Sequence, residues 1–239
     1  MTSDREGFLP TGGDDMERRG WSEVDFVFIT GDAYVDHPSF ANAVIPRALE
    51  GKGYRVGVIA QPDWRSLEDF LVLGRPRLGA LVSAGNLDSM LSHFTAAKKP
   101  RRDDPYSPGG RAGGRPQRAT MVYCNRAREA WKDVPLIIGG VEASLRRFAH
   151  YDYWSDSVRR SILVDSKADL LVFGMGEKPI LEIAEALSGG TPLDQIRDVR
   201  GTCRRAKVGD LPPEAVVLPS FEEVKRDRRA FAEAFRLQH

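Results

Sequence analysis

The amino-acid sequence predicts an α/β fold: an open, mainly five-stranded parallel sheet with helices on both faces, followed by a small C-terminal extension. Three observations support this fold class. Five short apolar runs recur along the chain, each run is followed by a loop rich in glycine or polar residues, and helical patterns separate successive runs. The runs cover residues 24–30, 55–61, 78–85, 134–140 and 168–176. Runs that are apolar throughout are typical of strands buried on both faces of a parallel sheet.

Residues 1–22 form the first predicted unit, an N-terminal arm, because their Gly, Asp, Glu and Arg residues show no sustained period. The α/β domain follows over residues 23–190. Its first helix is predicted within residues 40–54, and Pro46 is expected in the first turn of that helix, where its missing N–H would cost nothing. Further helices are predicted in the stretches "PDWRSLEDFLVLGRP", "ATMVYCNRAREAW", "EASLRRFA" and "EKPILEIAEALSGG".

A basic segment, residues 98–118, interrupts this rhythm. It combines many lysines and arginines with repeated glycine and proline, so we expect a flexible loop without packed elements. Such a segment could hold a nucleic-acid backbone. Only Tyr106 is available for stacking on bases, which favours a solvated loop, and nucleic acid is therefore not an expected partner.

Residues 191–239 form the predicted C-terminal extension. A small strand pair is expected within residues 192–220, followed by a last helix. Ser220 and Glu223 have the spacing of a capping box, which marks the start of that helix. An apolar stripe on the helix needs a surface to bury against. The stripe consists of Phe221, Val224, Phe231 and Phe235.

Composition limits the class of protein. The chain has 239 residues, 41% of them hydrophobic and 29% charged, and a formal net charge of +1, as in an ordinary globular protein. No apolar run reaches the roughly 18 residues that a membrane-spanning helix needs, and the N-terminus lacks the features of a signal peptide. We therefore expect a cytoplasmic protein without a membrane partner.

Cys124 and Cys203 lie too far apart in sequence to indicate a disulfide framework or a thiolate metal cluster, and we expect free thiols.

Polar residues and glycines gather where the predicted strands end. Ligands of open parallel sheets bind at the carboxyl ends of the strands, so we expect five loops to rim one cleft. No nucleophile elbow, phosphate-binding loop or GxGxxG motif follows a strand, which argues against hydrolase, P-loop and dinucleotide-binding classes. No residue is assigned a catalytic or metal-binding role. The residues predicted to face a substrate or cofactor are Asp32, Asp36, His37, Asn86, Gly139, Gly140, Glu142, Gly174, Gly176 and Glu177.

Each group of these residues has a structural alternative. Asp32, Asp36 and His37 could form an acid–base set or donate metal ligands, or they could belong to a hydrogen-bonded loop that leads into the next helix. The glycine pairs could form tight turns, with the following glutamates placed at helix N-termini. Residues 144–163 crowd aromatic side chains among arginines, which indicates either a site for a base or cofactor ring or a domain interface.

Five stretches together resemble the N-terminal region of YgiQ-type radical S-adenosylmethionine (radical SAM) proteins, and the resemblance extends over residues 8 to about 237. It implies a flavodoxin-like domain similar to the cobalamin-binding domains that precede the catalytic barrel of many radical SAM enzymes. The glycine loops after the fourth and fifth predicted strands match the loops of those relatives. The five stretches are "TGDAYVDHPSF", "GYRVGVIAQPDW", "SAGNLDSML", "GGVEASLRRFAHYDYWSDSVRRSIL" and "ADLLVFGMGEKP".

The resemblance also implies cofactors and a partner. Radical SAM enzymes hold a [4Fe–4S] cluster through a CxxxCxxC run, which this chain lacks, so we expect the cluster and S-adenosylmethionine in a downstream barrel of the same polypeptide. By itself the chain is expected to hold no cofactor and to be inactive. Cobalamin stays possible, although Asp36 and His37 are adjacent and do not form the DxHxxG motif. A stand-alone cobalamin- or nucleotide-binding module and an RNA-binding accessory domain remain open alternatives, and the substrate is unknown.

Overall fold

The computed structural model describes residues 7–238, so residues 1–6 of the predicted arm and residue 239 of the predicted extension lie outside the described residues. The strands are β1 (Phe26–Thr30), β2 (Val56–Ala60), β3 (Gly79–Ser83), β4 (Leu136–Gly139), β5 (His150–Asp152), β6 (Ser157–Arg159), β7 (Leu170–Val172) and β8 (Thr202–Arg204). The helices are α1 (Gly13–Arg18), α2 (Ala41–Glu50), α3 (Glu68–Leu71), α4 (Ser89–His93), α5 (Ala119–Ala130), α6 (Gly140–Leu145), α7 (Ile162–Asp165), α8 (Glu177–Ser188), α9 (Phe221–Arg226) and α10 (Arg228–Leu237). None of these helices combines the length and the apolar character needed to cross a membrane.

The main sheet has six strands in the order β2-β1-β3-β4-β7-β8. The first five are parallel, as the five apolar runs predict. The sixth strand, β8, is antiparallel to β7 and comes from the C-terminal extension. The predicted strand pair within residues 192–220 is therefore wrong, because β8 pairs with β7 and residues 212–220 form no strand. By pairing with β7, β8 satisfies the backbone groups of an otherwise open sheet edge.

Helices cover both faces of the sheet because alternate side chains of each strand point to opposite sides. On β1, Phe26 and Phe28 belong to the core on the side of α2 and α8, whereas Val27 and Ile29 belong to the core on the side of α5. All four side chains are buried. Complete burial of such a side chain contributes about 1.5–3 kcal/mol to stability, so both faces help to hold the sheet.

The described part of the N-terminal arm packs on the domain. Leu9 is buried in the same core as α2, and Met16 on α1 is buried on the opposite side. The Pro10 carbonyl accepts a hydrogen bond of 2.8 Å from the Val58 N–H on the edge strand β2. The arm therefore protects one sheet edge, as β8 protects the other.

The C-terminal end contains two helices where the sequence predicts one. The capping box is confirmed, since the Ser220 side chain accepts from the Glu223 N–H and the Glu223 carboxylate accepts from the Ser220 N–H. The helix then breaks at Asp227, whose backbone is extended and whose carboxylate accepts a 2.9 Å hydrogen bond from the Arg229 N–H. Helix α9 buries Val224 and contacts β6, so the β5–β6 hairpin covers the α9 part of the apolar stripe, whereas Phe235 on α10 is 60% exposed.

Candidate functional site

An apolar cavity of about 230 Å³ lies at the carboxyl ends of β3, β4 and β7, beside the N-terminal ends of α2 and α8. Strand order reverses direction between β1 and β3, and the cavity contains side chains of both strands, so it lies at the topological switch point of the sheet. Its apolar floor includes Phe28, Leu81, Ile137, Val172 and Ile180, and its rim includes Ser39, Phe40, Gly139, Gly140, Gly174, Met175, Gly176 and Glu177.

Half of the predicted site residues line this cavity, namely the four glycines and Glu177. Gly140 is required by its position: its φ is +80°, and an added Cβ would lie 2.6 Å from Ser83 Oγ. The glycine therefore lets the turn after β4 lie against Ser83 at the end of β3. The cavity does lie at the strand ends, but its rim comes from the loops after β1, β4 and β7 and not from all five loops that the sequence predicts.

Asp32 does not line the cavity. Its side chain is buried, and its Oδ2 accepts a 2.7 Å hydrogen bond from the Asn86 N–H. Burial raises the pKa of Asp32, while the Asn86 hydrogen bond and the positive charge of Arg115 oppose that shift. The loop after β3 approaches closely because Gly85 has a φ of +108° and lacks a Cβ, which would overlap Asp32 Oδ1. Asp32 thus joins the loops that follow β1 and β3.

Arg115 is the central residue of this charged cluster, and the sequence does not reveal it. Its side chain is completely buried; Nη1 lies 2.8 Å from Asp32 Oδ1 and donates to the Ala84 carbonyl at 2.9 Å. Nε and Nη2 donate to the two oxygens of Asp104 at 2.9 and 3.1 Å. Two charged side chains of the basic segment are therefore packed, contrary to the expectation of a loop without packed elements, because each finds a buried partner of opposite charge. Flexibility of the remaining segment stays a prediction.

Asp36 and His37 have separate partners. The Asp36 carboxylate accepts hydrogen bonds of 3.1 and 3.2 Å from Arg47 Nε on α2. His37 is exposed, and its Nδ1 accepts a 3.1 Å hydrogen bond from the Ser39 N–H. The structure therefore does not bring Asp32, Asp36 and His37 together as an acid–base set, and their contacts are those of the alternative, a hydrogen-bonded loop.

Asn86 supports the rim of the cavity without lining it. Its Nδ2 donates a 3.0 Å hydrogen bond to the carbonyl of Ser39, a rim residue, while its backbone N–H is bound by Asp32. Asp32 and Asn86 therefore form a continuous link from the buried Arg115 to the wall of the cavity. The position of Ser39 in the cavity rim therefore depends on hydrogen bonds of Asn86 and Asp32, which do not line the cavity.

Glu142 faces the interior of the protein, which contradicts its predicted position facing a ligand. Its Oε2 accepts from the Ser89 N–H at 2.8 Å and from the Ser89 hydroxyl at 2.5 Å, and its Oε1 accepts from the Thr120 N–H at 3.1 Å. Both amides lie in the first turns of helices, α4 and α5, where N–H groups have no intrahelical acceptor. One buried carboxylate thus satisfies two helix N-termini.

Residues 144–163 contain the β5–β6 hairpin, which the sequence does not predict. Asp152 in this hairpin receives hydrogen bonds from Ser155 at 2.7 Å and from Arg118 at 2.5 Å. Burial alone would raise the pKa of Asp152, but these hydrogen bonds and the charge of Arg118 outweigh it and lower the pKa from 3.8 to about 2. The hairpin packs on α9 and on the residues after α4, so this segment forms an interface within the chain.

The two cysteines lie in different parts of the domain. Cys124 is buried on α5 and Cys203 is half-buried on β8, and burial raises the pKa of both thiols. Among residues 7–238, no three His, Cys, Asp or Glu side chains are grouped so as to hold a metal ion.

The strand order and the cavity define a flavodoxin-like α/β domain with a ligand-sized space at its switch point. A family model described as "Radical SAM N-terminal" matches residues 8–239, and the chain belongs to that family. The resemblance to YgiQ-type radical SAM proteins is thereby confirmed.

Curated relatives agree with this assignment. The chain is 59% identical over 231 residues to a UPF0313 protein of Geobacter sulfurreducens, covering 96% of this chain and 38% of the relative. It is 58% identical over 233 residues to a UPF0313 protein of Clostridium perfringens and 55% identical over 232 residues to one of Clostridium botulinum, covering 97% of this chain in both cases and 35% and 36% of the relatives. The chain thus spans little more than a third of the length of these relatives.

A solved structure shares the fold. The radical S-adenosylmethionine methyltransferase TsrM of Kitasatospora setae, solved with cobalamin and a [4Fe–4S] cluster bound, matches with a TM-score of 0.50 and 20% identity over 76% of this chain and 27% of TsrM. A second TsrM structure, with tryptophan and a SAM analogue, matches equally well. This likeness confirms the α/β fold class.

Proposed function

We propose that this chain is the N-terminal domain of a radical SAM, iron–sulfur enzyme, that it covers the mouth of a downstream barrel, and that its cavity binds a flat apolar group of the substrate or cofactor. Family membership supports the first part. The apolar cavity at the carboxyl edge of the sheet supports the proposed binding of a flat apolar group. In such an enzyme a [4Fe–4S] cluster, held outside this chain, supplies the electron that cleaves S-adenosylmethionine.

The covering role is supported by apolar side chains exposed at the same edge. They follow β1, β3, β4 and β7, the strands whose ends surround the cavity. An apolar surface of this kind is typical of an interface. The relatives have nearly two thirds of their length outside the matched region, which is enough for a barrel to cover this edge. We call these residues the apolar rim: Val35, Leu87, Leu91, Val141, Leu145 and Met175.

Cobalamin fits the cavity only in part. The apolar floor and the glycine rim suit the planar base of a cofactor tail, which would lie among Phe28, Leu81 and Ile137, away from water. No histidine of the described residues lines the cavity. The rings of His37 and His93 are instead hydrogen-bonded to backbone groups. The residues therefore do not fit a cobalamin whose cobalt is held by an imidazole of this domain.

The enzyme assignment is tested on the intact polypeptide. After anaerobic reconstitution with iron and sulfide, we expect the visible absorption of a [4Fe–4S] cluster and formation of 5′-deoxyadenosine from S-adenosylmethionine. Replacement of the downstream cluster cysteines by alanine is the control and should abolish both signals. An intact protein that forms no cluster, or that lacks a CxxxCxxC run, contradicts the assignment.

The binding role of the cavity is tested by filling it. Val44 lies half-buried on α2 and lines the cavity, so Val44→Phe places a ring in the space that the ligand needs. Val164→Phe, on α7 and outside the cavity lining, makes the same substitution as a control. Binding of hydroxocobalamin to the intact protein is followed by visible absorbance. We expect Val44→Phe to weaken this binding by about tenfold or more, because the contact with the buried base is lost. Val164→Phe should leave the binding unchanged. Equal binding by both variants contradicts the cavity as the site, and no binding by the wild type excludes cobalamin as its occupant.

A further inference from the structure

A strongly basic surface lies beside the hairpin and plays no part in the cavity. Its cations are exposed, and none of them has an ion pair within the described part of the chain. Two exposed or half-buried aromatic side chains of the hairpin tip adjoin it. We call this surface the basic–aromatic patch: Lys98, Lys99, Arg101, Arg102, Arg111, Tyr153 and Trp154.

The backbone of the patch is held in place by the fold. Antiparallel bridges join Phe94 to Pro100 and Asp103 to Arg111, so Arg111 lies on a stretch of backbone next to that of Arg102. The buried ion pair of Arg115 and Asp104 anchors the same segment to the sheet. Its cations therefore project from an anchored support, although composition alone favours a solvated loop.

Tertiary contacts bring aromatic rings to the basic segment. The ring centroids of Phe94 and Trp154 are 5.3 Å apart, and those of Tyr153 and Trp154 are 5.4 Å apart. Lys98 Nζ lies 4.7 Å from the Tyr153 ring centroid, and the Tyr153 side chain is 48% exposed. The sequence offers only Tyr106 for stacking, and that ring packs against Phe40 instead. The stacking residues thus come from a hairpin about fifty positions further along the chain.

We propose that the basic–aromatic patch binds single-stranded nucleic acid. Exposed cations without carboxylate partners attract a polyanion, and phosphates spaced along a strand can contact several of them at once. Exposed rings next to those cations can stack on bases, whose faces are free in a single strand and covered in a duplex. This binding function goes beyond the proposed enzyme assignment and does not depend on it.

The charge contribution is tested with the intact protein and a fluorescently labelled single-stranded RNA, by anisotropy at about 50 and about 200 mM salt. The variant Lys99→Ala/Arg102→Ala/Arg111→Ala should bind the RNA about tenfold or more weakly at low salt. The negative slope of log K against log salt should become shallower by about 2, since each lost phosphate contact removes about 0.7 from its magnitude. The control removes three exposed cations elsewhere, Lys52→Ala/Arg75→Ala/Lys132→Ala, and should change neither value.

The stacking contribution is tested at Tyr153. Tyr153→Phe keeps the ring but loses the 2.7 Å hydrogen bond to the Ala96 carbonyl, whereas Tyr153→Ala loses both. We expect the alanine variant to bind RNA about fivefold or more weakly, from about 1 kcal/mol of stacking, and the phenylalanine variant to bind like the wild type. The proposal is overturned if the wild type does not bind RNA at low salt, if the two triple variants lose equal affinity, or if a duplex binds as well as a single strand.

Discussion

Replacing Arg115 by methionine removes, within residues 7–238, the cation that pairs with two buried carboxylates. Asp32 and Asp104 are 1% and 2% exposed, and Arg115 contacts them at 2.8 Å and 2.9 Å respectively. Breaking a buried ion pair costs about 3–5 kcal/mol, because the remaining charges stay out of water. For a domain of this size each kcal/mol lowers the unfolding midpoint by about 2–4 °C. We therefore expect Arg115→Met to unfold roughly 10 °C below the wild type.

The loss of folding stability in Arg115→Met should become smaller as the pH falls. Burial already raises the pKa of Asp32, and loss of Arg115 raises it further, so the folded variant binds a proton that the unfolded chain binds only at lower pH. Stability of the variant therefore rises, relative to the wild type, as the pH falls through the folded-state pKa. The deficit should be smaller at about pH 5 than at about pH 8.

The measurement is thermal unfolding, followed by far-ultraviolet circular dichroism, at both pH values. Arg65→Met is the matched control, since Arg65 pairs with Asp63 on the surface and its loss should leave the midpoint nearly unchanged. Two results refute the reasoning: a loss for Arg115→Met no larger than that of the control, or a deficit that grows as the pH is lowered.

Three further predictions concern buried groups. Gly85→Ala should destabilise the domain by about 1–3 kcal/mol more than Gly53→Ala in thermal unfolding, since both have positive φ but only the first new methyl meets buried atoms; equal losses would exclude the close approach. Glu142→Gln should cost about 2 kcal/mol by the same measurement through loss of charge-assisted hydrogen bonds to two helix N-termini, whereas Glu182→Gln on the surface of α8 should cost almost nothing. Asp152→Asn should lower stability at neutral pH, and its difference from the wild type should disappear as the pH falls from 3.8 to about 2, because the lowered pKa stabilises only while the carboxylate is ionised; a difference that persists in acid would contradict this.

The elements that sequence reasoning predicts well are those defined by residues close together in the chain. The five apolar runs identify the parallel strands because a strand buried on both faces needs no alternation. The capping box of Ser220 and Glu223 identifies the start of α9, since both partners lie within one turn. The partner of β8 is not predictable in this way, because its pairing with β7 joins residues about thirty positions apart and has no pattern in the short stretch Thr202–Arg204.

The candidate site divides in the same manner. The carboxyl edge of the sheet follows from the parallel strands, and the glycines near it line the cavity. The orientation of the charged residues does not follow, because their partners are remote in sequence: Glu142 binds Ser89, and Asp32 pairs with Arg115, which lies about eighty positions further along the chain. An arginine in a segment rich in Gly, Pro and other cations gives no sequence sign of complete burial. Here long-range pairing decides which polar residues face solvent.

Coverage of the carboxyl edge by the rest of the polypeptide is the central claim, and Met175 reports on it most directly. Met175 belongs to the apolar rim and is 80% exposed in this domain, whereas Leu71 on α3 is 48% exposed and does not line the cavity. Hydroxyl-radical footprinting of the intact protein, normalised to the intrinsic reactivity of each side chain, should show Met175 protected and Leu71 labelled. If Met175 is labelled in proportion to its exposure in the domain alone, the edge is open and the claim is contradicted.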